Sequence, residues 1–227
     1  MSRRVLGTLT IGQAPRPDVV PIIERHVPAD TRLIHRGTLD GLSRAEIAAR
    51  YEPDPDEPAL ITRLHDGTSV NLSRQRIQDA VQQQLAVLEN DGCDVILLLC
   101  VGTFVGLECR RAWLIEPDHI IPATIAGLIE RRQLGVLVPI PGQIISEAEK
   151  WQPLARRPLF AAANPYETGE DAVVAAGRSL KEEGAEAILL DCIGFTERHR
   201  AALGTLGLPV ILSNAIVAKT VGELLEG

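Results

Sequence analysis

Short uninterrupted apolar runs alternate along this chain with longer segments whose apolar positions recur every three or four residues. Runs of the first kind mark strands buried on both faces, and segments of the second kind mark amphipathic helices. Strands are predicted at 5–11, at 31–35, at the run ending in Cys100, at 134–138, at 159–163, at the run ending in Cys192 and at 209–212. Between them, helices are predicted to open at Pro17, at the capping box Ser43/Glu46 and at Ser73, the last running to about residue 90 with Ile77, Val81, Leu85 and Leu88 on one face. Further helices are expected at 116–132, at 144–154, from a Thr168 cap to 183, at 197–206 and at 214–225. A hairpin folding about Asp66-Gly67 joins 61–64 to 69–72 and stands to cover one side of a cleft. Strand–helix alternation of this kind predicts an α/β protein with parallel sheets and right-handed crossovers.

Two of the strand signals are nearly the same text. Laid over each other at an offset of 92, they match at Gly92/Gly184, Ile96/Ile188, Leu97/Leu189, Leu98/Leu190, Cys100/Cys192 and Gly102/Gly194. The first strand also has a counterpart, Leu6-Gly7-Thr8-Leu9-Thr10 against Leu134-Gly135-Val136-Leu137-Val138, at an offset of 128. The chain therefore reads as two similar lobes, 1–132 and 133–227. The first carries an insertion of 36 residues, roughly 38–72, and the last strand and helix are free to cross back to the first lobe. No low-complexity linker separates the halves, so they are expected to pack tightly.

Composition narrows the function classes. The net charge of −7 and pI near 5.3 speak against a nucleic-acid or anionic-membrane surface, which needs clustered positive charge. No apolar run approaches the roughly 20 residues that span a bilayer, and no secretory segment opens the chain, so a cytoplasmic location is expected. There the four cysteines, 93, 100, 109 and 192, stay reduced. They also lack the spacing of a zinc site, and no metal or cofactor is expected.

In open α/β sheets ligands bind beyond the carboxyl ends of the strands, which is where Cys100 and Cys192 fall. Each precedes a glycine turn and an expected helix start, a setting that lowers a thiol pKa. Opposed across a cleft, a thiolate and a thiol could take a proton from one face of a carbon acid and return one to the other. Cys93 and Cys109 have no counterpart in the other copy. The loop after the first strand offers a second candidate: Arg16 presents a planar fork for a carboxylate, with Gln13 as a neutral donor beside it. Its glycine spacing is neither that of a P-loop nor that of a dinucleotide fingerprint. Asp191, where the first copy has Leu99, either orients a substrate or is satisfied by turn amides. His199 reads as part of an exposed helix start, and Asn214 as a helix cap or a cleft residue.

The runs 11–18, 94–103 and 190–195, together with Arg198-His199-Arg200 and Leu212-Ser213-Asn214-Ala215, resemble the AroM family over essentially the whole chain. That family is similar to the aspartate/glutamate racemase superfamily, which includes hydantoin racemase, maleate isomerase and arylmalonate decarboxylase. The resemblance implies two pseudo-symmetric Rossmann-like lobes, each giving one cysteine, here Cys100 and Cys192. Glutamate racemases have Cys-Asn-Thr and Cys-Thr-His at these points, whereas this chain has Cys100-Val101-Gly102-Thr103 and Cys192-Ile193-Gly194-Phe195. The polar positions move to Thr103 and Thr196, helped by the amides of Gly102 and Gly194, which speaks against glutamate or aspartate as substrate. The expected activity is a cofactor-independent isomerase acting on a small anionic metabolite. A cysteine-dependent decarboxylase or cis–trans isomerase and a non-catalytic metabolite-binding protein stand as alternatives, and related folds suggest a homodimer.

Overall fold

The computed structural model describes residues 4–167 and 169–226, so the expected cap at Thr168 lies outside the described residues. The first half runs β1 (Val5–Thr10), α1 (Val20–Glu24), β2 (Arg32–Gly37), α2 (Arg44–Tyr51), β3 (Ala59–Arg63), β4 (Ser69–Ser73), α3 (Arg74–Asn90), β5 (Val95–Leu99), β6 (Trp113–Ile115) and α4 (Pro117–Ile129). The second runs β7 (Leu134–Val138), α5 (Gln143–Ser146), a 3₁₀ turn (Ala148–Trp151), β8 (Leu159–Ala162), α6 (Asp171–Glu182), β9 (Ala187–Leu190), α7 (Glu197–Gly204), β10 (Val210–Leu212) and α8 (Ser213–Leu225).

Each half builds one parallel four-stranded sheet, in the order β2-β1-β5-β6 and β8-β7-β9-β10. The sheets correspond strand for strand. Leu6 lies opposite Val95 in the first and Leu134 opposite Ala187 in the second, so both sequence offsets join structurally equivalent positions. The offset is 128 at the first strands, 125 at the second (Ile34 and Leu159, opposite Gly7 and Gly135) and 92 at the third. The extra length of the first lobe thus divides into three residues before β2 and 33 between β2 and β5, where α2 and the antiparallel β3–β4 hairpin sit.

Every residue of β5, β7 and β9 is buried, as strands covered by helices on both faces require. Ser73 caps α3, its hydroxyl accepting the Arg76 N–H at 3.1 Å, and Ile77, Val81, Leu85 and Leu88 form the face against the sheet. Two expectations change. The segment at 144–154 is not one helix but α5 followed by the 3₁₀ turn, broken at Glu147 (φ −107°, ψ 6°). β6 carried no strand signal because it is a three-residue edge strand whose Trp113 is 65% exposed, so it lacks a buried apolar run.

The lobes share a core. Leu6, Val19, Ile23 and Ile125 of the first half pack in one cluster with Val136, Leu189, Val217 and Val221 of the second. The last strand stays in the second sheet, while α8 packs on α1 and α4 of the first half. Among the described residues no helix is long and apolar enough to cross a membrane.

Candidate active site

Cys100 directly follows β5 and Cys192 follows β9 by two residues, so both thiols stand at the carboxyl ends of equivalent strands. They line one narrow cavity of about 20 Å³, room for little more than a water molecule. Larger hollows exist, one of about 700 Å³ beside α2, one of about 610 Å³ near α7 and one of about 460 Å³ beside Cys93, but none is lined by Cys100 or Cys192. Chemistry, rather than size, makes the small cavity the candidate site.

The two thiols are held alike. The N–H groups of Gly102 and Gly194 each donate to the sulfur two residues earlier, at 3.4 Å in both turns. Neither position has room for a side chain: a Cβ at Gly102 would come within 2.5 Å of Leu60, and one at Gly194 within 2.4 Å of the Tyr166 ring. Their surroundings then diverge. Burial pushes the Cys100 thiol up to about 12, against the pull of its turn amide, with nearby Glu147 adding to the rise. Burial also raises Cys192, but only to about 11, because Arg16 and the Tyr166 hydroxyl join the Gly194 amide in favouring a thiolate. The helix expected after each cysteine follows only Cys192. After Cys100 the chain runs through a loop to β6, and the next helix begins at Pro117.

Arg16 is 3% exposed and lines the cavity, but its fork is occupied: Nε and Nη2 donate to the two Asp18 oxygens at 2.9 and 2.7 Å. Burial works against its charge, yet Tyr166 and Asp18 outweigh that and hold it protonated. Nη2 also reaches the Tyr166 hydroxyl at 3.4 Å, and that hydroxyl lies 4.0 Å from the Cys192 sulfur. Gln13 is turned away, donating to the carbonyls of Leu39 and Leu42 and accepting the His65 N–H at 2.8 Å, which ties the first loop to the insertion.

The other expected residues are dispersed. Thr103 donates to Asp118 at 2.7 Å. Gly194 and Thr196 line the 610 Å³ hollow on the far side of Tyr166, and Thr196 donates through its N–H to His199 Nδ1 at 2.9 Å. His199 itself is buried, not exposed as its charged neighbours suggest, because its ring packs edge-on against Phe195. Asp191 is 1% exposed and pairs through one oxygen with the Lys150 ammonium at 2.6 Å rather than with turn amides. Asn214 donates to the carbonyls of Ile193 and Phe195 at 2.9 and 2.6 Å, pinning the turn after Cys192.

The hairpin lies over the cavity as expected of a cleft cover, through residues the sequence did not single out, and sequence reasoning missed two further contributors, Tyr166 and Lys150. Leu60, Ile61 and Thr62 of β3 close the cavity roof, and the Thr62 hydroxyl, fully buried, has no partner among the described residues. Tyr166, in the loop after β8, is the wall between the cavity and the outer hollow. Lys150 stands below the cysteine turns. Only the hairpin had a signal, as an insertion without a counterpart in the second lobe.

This is the architecture of the aspartate/glutamate racemase fold. The chain superposes on allantoin racemase from Klebsiella pneumoniae with a TM-score of 0.66 at 16% identity, over 98% of this chain and 88% of that one. It superposes on glutamate racemase from Francisella tularensis, solved with D-glutamate, with a TM-score of 0.65 at 14% identity, over 99% and 81%. An unliganded arylmalonate decarboxylase gives a TM-score of 0.58 at 14% identity, over 99% and 93%. The family profile described as AroM protein matches residues 6–225, and the chain belongs to the AroM family. No curated protein sequence matches it significantly.

Proposed function

We propose that this protein is a cofactor-independent isomerase of the racemase or epimerase type, with Cys100 and Cys192 as its acid/base pair and a small carboxylated molecule as substrate. The observation that carries the reading is the shared cavity: two buried thiols, at equivalent strand ends and under equivalent amides, border one small space. One sulfur, as thiolate, takes the proton from the carbon next to the carboxylate, and the opposite thiol delivers its own proton to the other face. The two sulfurs exchange roles with each turnover. Arg16 and Tyr166 beside Cys192 favour its thiolate, which makes it the sulfur better placed to act as the first base. With the Arg16 fork held by Asp18 and its Nη1 donating to the Thr10 hydroxyl at 3.4 Å, substrate oxygens are left to the unpartnered Thr62 hydroxyl. The cavity is too small for any such substrate as it stands, so the β3–β4 hairpin or Tyr166 moves to admit it.

The unequal surroundings of the thiols favour one second reading, a decarboxylase in which a single cysteine protonates the carbanion. The test is a mass-spectrometric screen of small carboxylic acids in deuterated water with the wild type, Cys100→Ser and Cys192→Ser. Two-base isomerisation predicts cysteine-dependent deuterium uptake at carbon that each substitution lowers by at least about a thousandfold. Carbon dioxide release lost in only one variant establishes the decarboxylase instead. Full activity in both variants overturns the cysteine-pair reading, and ligand-induced stabilisation without deuterium uptake in any of the three proteins overturns the enzyme reading.

A further inference from the structure

Three polar side chains of the segment between β7 and β8 fall at positions 143, 147 and 150, spacings of four and three that put them on one side of a helical path. All three reach across to the first lobe. Gln143 donates to the Ala59 carbonyl of the hairpin at 3.1 Å, Glu147 pairs with Arg74 at the start of α3, and Lys150 donates to the Val101 carbonyl at 3.1 Å. Lys150 is unlike the other two because the same ammonium also pairs with Asp191 at 2.6 Å. Val101 is the residue after Cys100, and Asp191 is the residue before Cys192. A single buried nitrogen thus joins the two cysteine turns through bonds to their immediate neighbours.

The cost of this arrangement points to its purpose. Lys150 is 6% exposed by its side chain and Asp191 1%, so both charges have left water, and a buried ion pair seldom stabilises a fold more than an apolar pair of the same size. Lys150 is also the only side-chain partner of the Asp191 carboxylate among the described residues, whose other oxygen is unpartnered. What the contact supplies is geometry, because one ammonium holds a carbonyl of the first lobe and a carboxylate of the second at the same time.

We propose that Lys150 is a positioning residue for the thiol pair, its ammonium fixing the separation of the Cys100 and Cys192 sulfurs across the cavity. Its catalytic consequence rests on the isomerase reading above, but the spacing can be measured without a substrate. Both cysteines are free thiols in the structure although they share a cavity. Holding them apart slows their joining, and releasing the strut lets the sulfurs meet.

The experiment oxidises folded protein with diamide and follows the Cys100–Cys192 disulfide by peptide mass mapping, well below the melting temperature. The variants are Lys150→Met/Asp191→Asn, which removes both charges together, Lys150→Arg, and a core control, Leu180→Ala. The proposal predicts disulfide formation at least tenfold faster in the double variant, with Lys150→Arg and the control near the wild-type rate. An unchanged rate in the folded double variant overturns it, as does an equal acceleration in the control, which would mean general loosening. Should the double variant not fold, Asp191→Asn alone carries the same comparison, since it releases the Cys192 side and keeps the ammonium. An absence of carbon exchange in the wild type would sink the isomerase reading and leave this spacing result standing.

Discussion

The glycines after the two cysteines matter for what they lack. At Gly194 a methyl group would meet the ring of Tyr166 at 2.4 Å, and at Gly102 it would meet the end of the Leu60 side chain at 2.5 Å. A leucine tip can turn aside more easily than a phenol ring held between Arg16 and Cys192. Gly194→Ala is therefore expected to cost about 1–3 kcal/mol of stability, with Gly102→Ala costing less. Urea unfolding of the two variants checks the order. Gly194→Ala should also displace Tyr166 and weaken its contact with Cys192. The glycines and cysteines were legible in the sequence because they repeat at a fixed offset. Tyr166 and Lys150 were not, since each occurs in one copy only and gains its meaning from a neighbour in space.

At the scale of elements, the β3–β4 hairpin is the device that has no twin. It presses on Gly102 and, through Thr62, on Gly12, and it roofs the cavity with Leu60, Ile61 and Thr62. Leu60→Ala should lower stability by about 2–5 kcal/mol, as large-to-small changes in a closed core do. The same change should expose the thiols, raising their alkylation rate by iodoacetamide severalfold under conditions where the protein stays folded. Slower or unchanged alkylation would mean that access runs by Tyr166 instead. The pattern of apolar and polar positions foretold the hairpin and its neighbouring helices, because turns and amphipathic faces are local properties. It could not foretell β6, whose strand character comes from pairing with β5, nor the break at Glu147, whose side chain is drawn across to Arg74.

Over the whole molecule, the two lobes are joined by one hydrophobic cluster and by α8, so they are expected to unfold in a single transition. That transition should be sensitive to alkaline pH with a definite sign. Both site thiols are raised from 9.0, to about 12 and about 11, so folding holds them protonated. Their contribution is fully present below pH 9, where both states keep the proton. It is lost as pH rises from about 9 to about 11–12, where the unfolded thiols ionise before the folded ones. A Cys100→Ser/Cys192→Ser double variant should lose less stability than wild type across this window, by an amount on the order of a few kcal/mol. Denaturant melts at a series of pH values read the difference, and parallel curves for the two proteins would contradict it.

The sequence by itself determined the α/β class, the doubled lobe and the two cysteines at matching strand ends. These follow from periodicity and repetition, which are written along the chain. Tertiary structure alone decided the rest of the site. It turned Gln13 toward the insertion and spent the Arg16 fork on Asp18. It brought Thr62 and Tyr166 to the cavity, and it set Lys150 between the turns. The physical reason is the same in each case: a polar side chain takes the best partner within reach after folding, and residues far apart in sequence become neighbours only when the sheets and helices have packed.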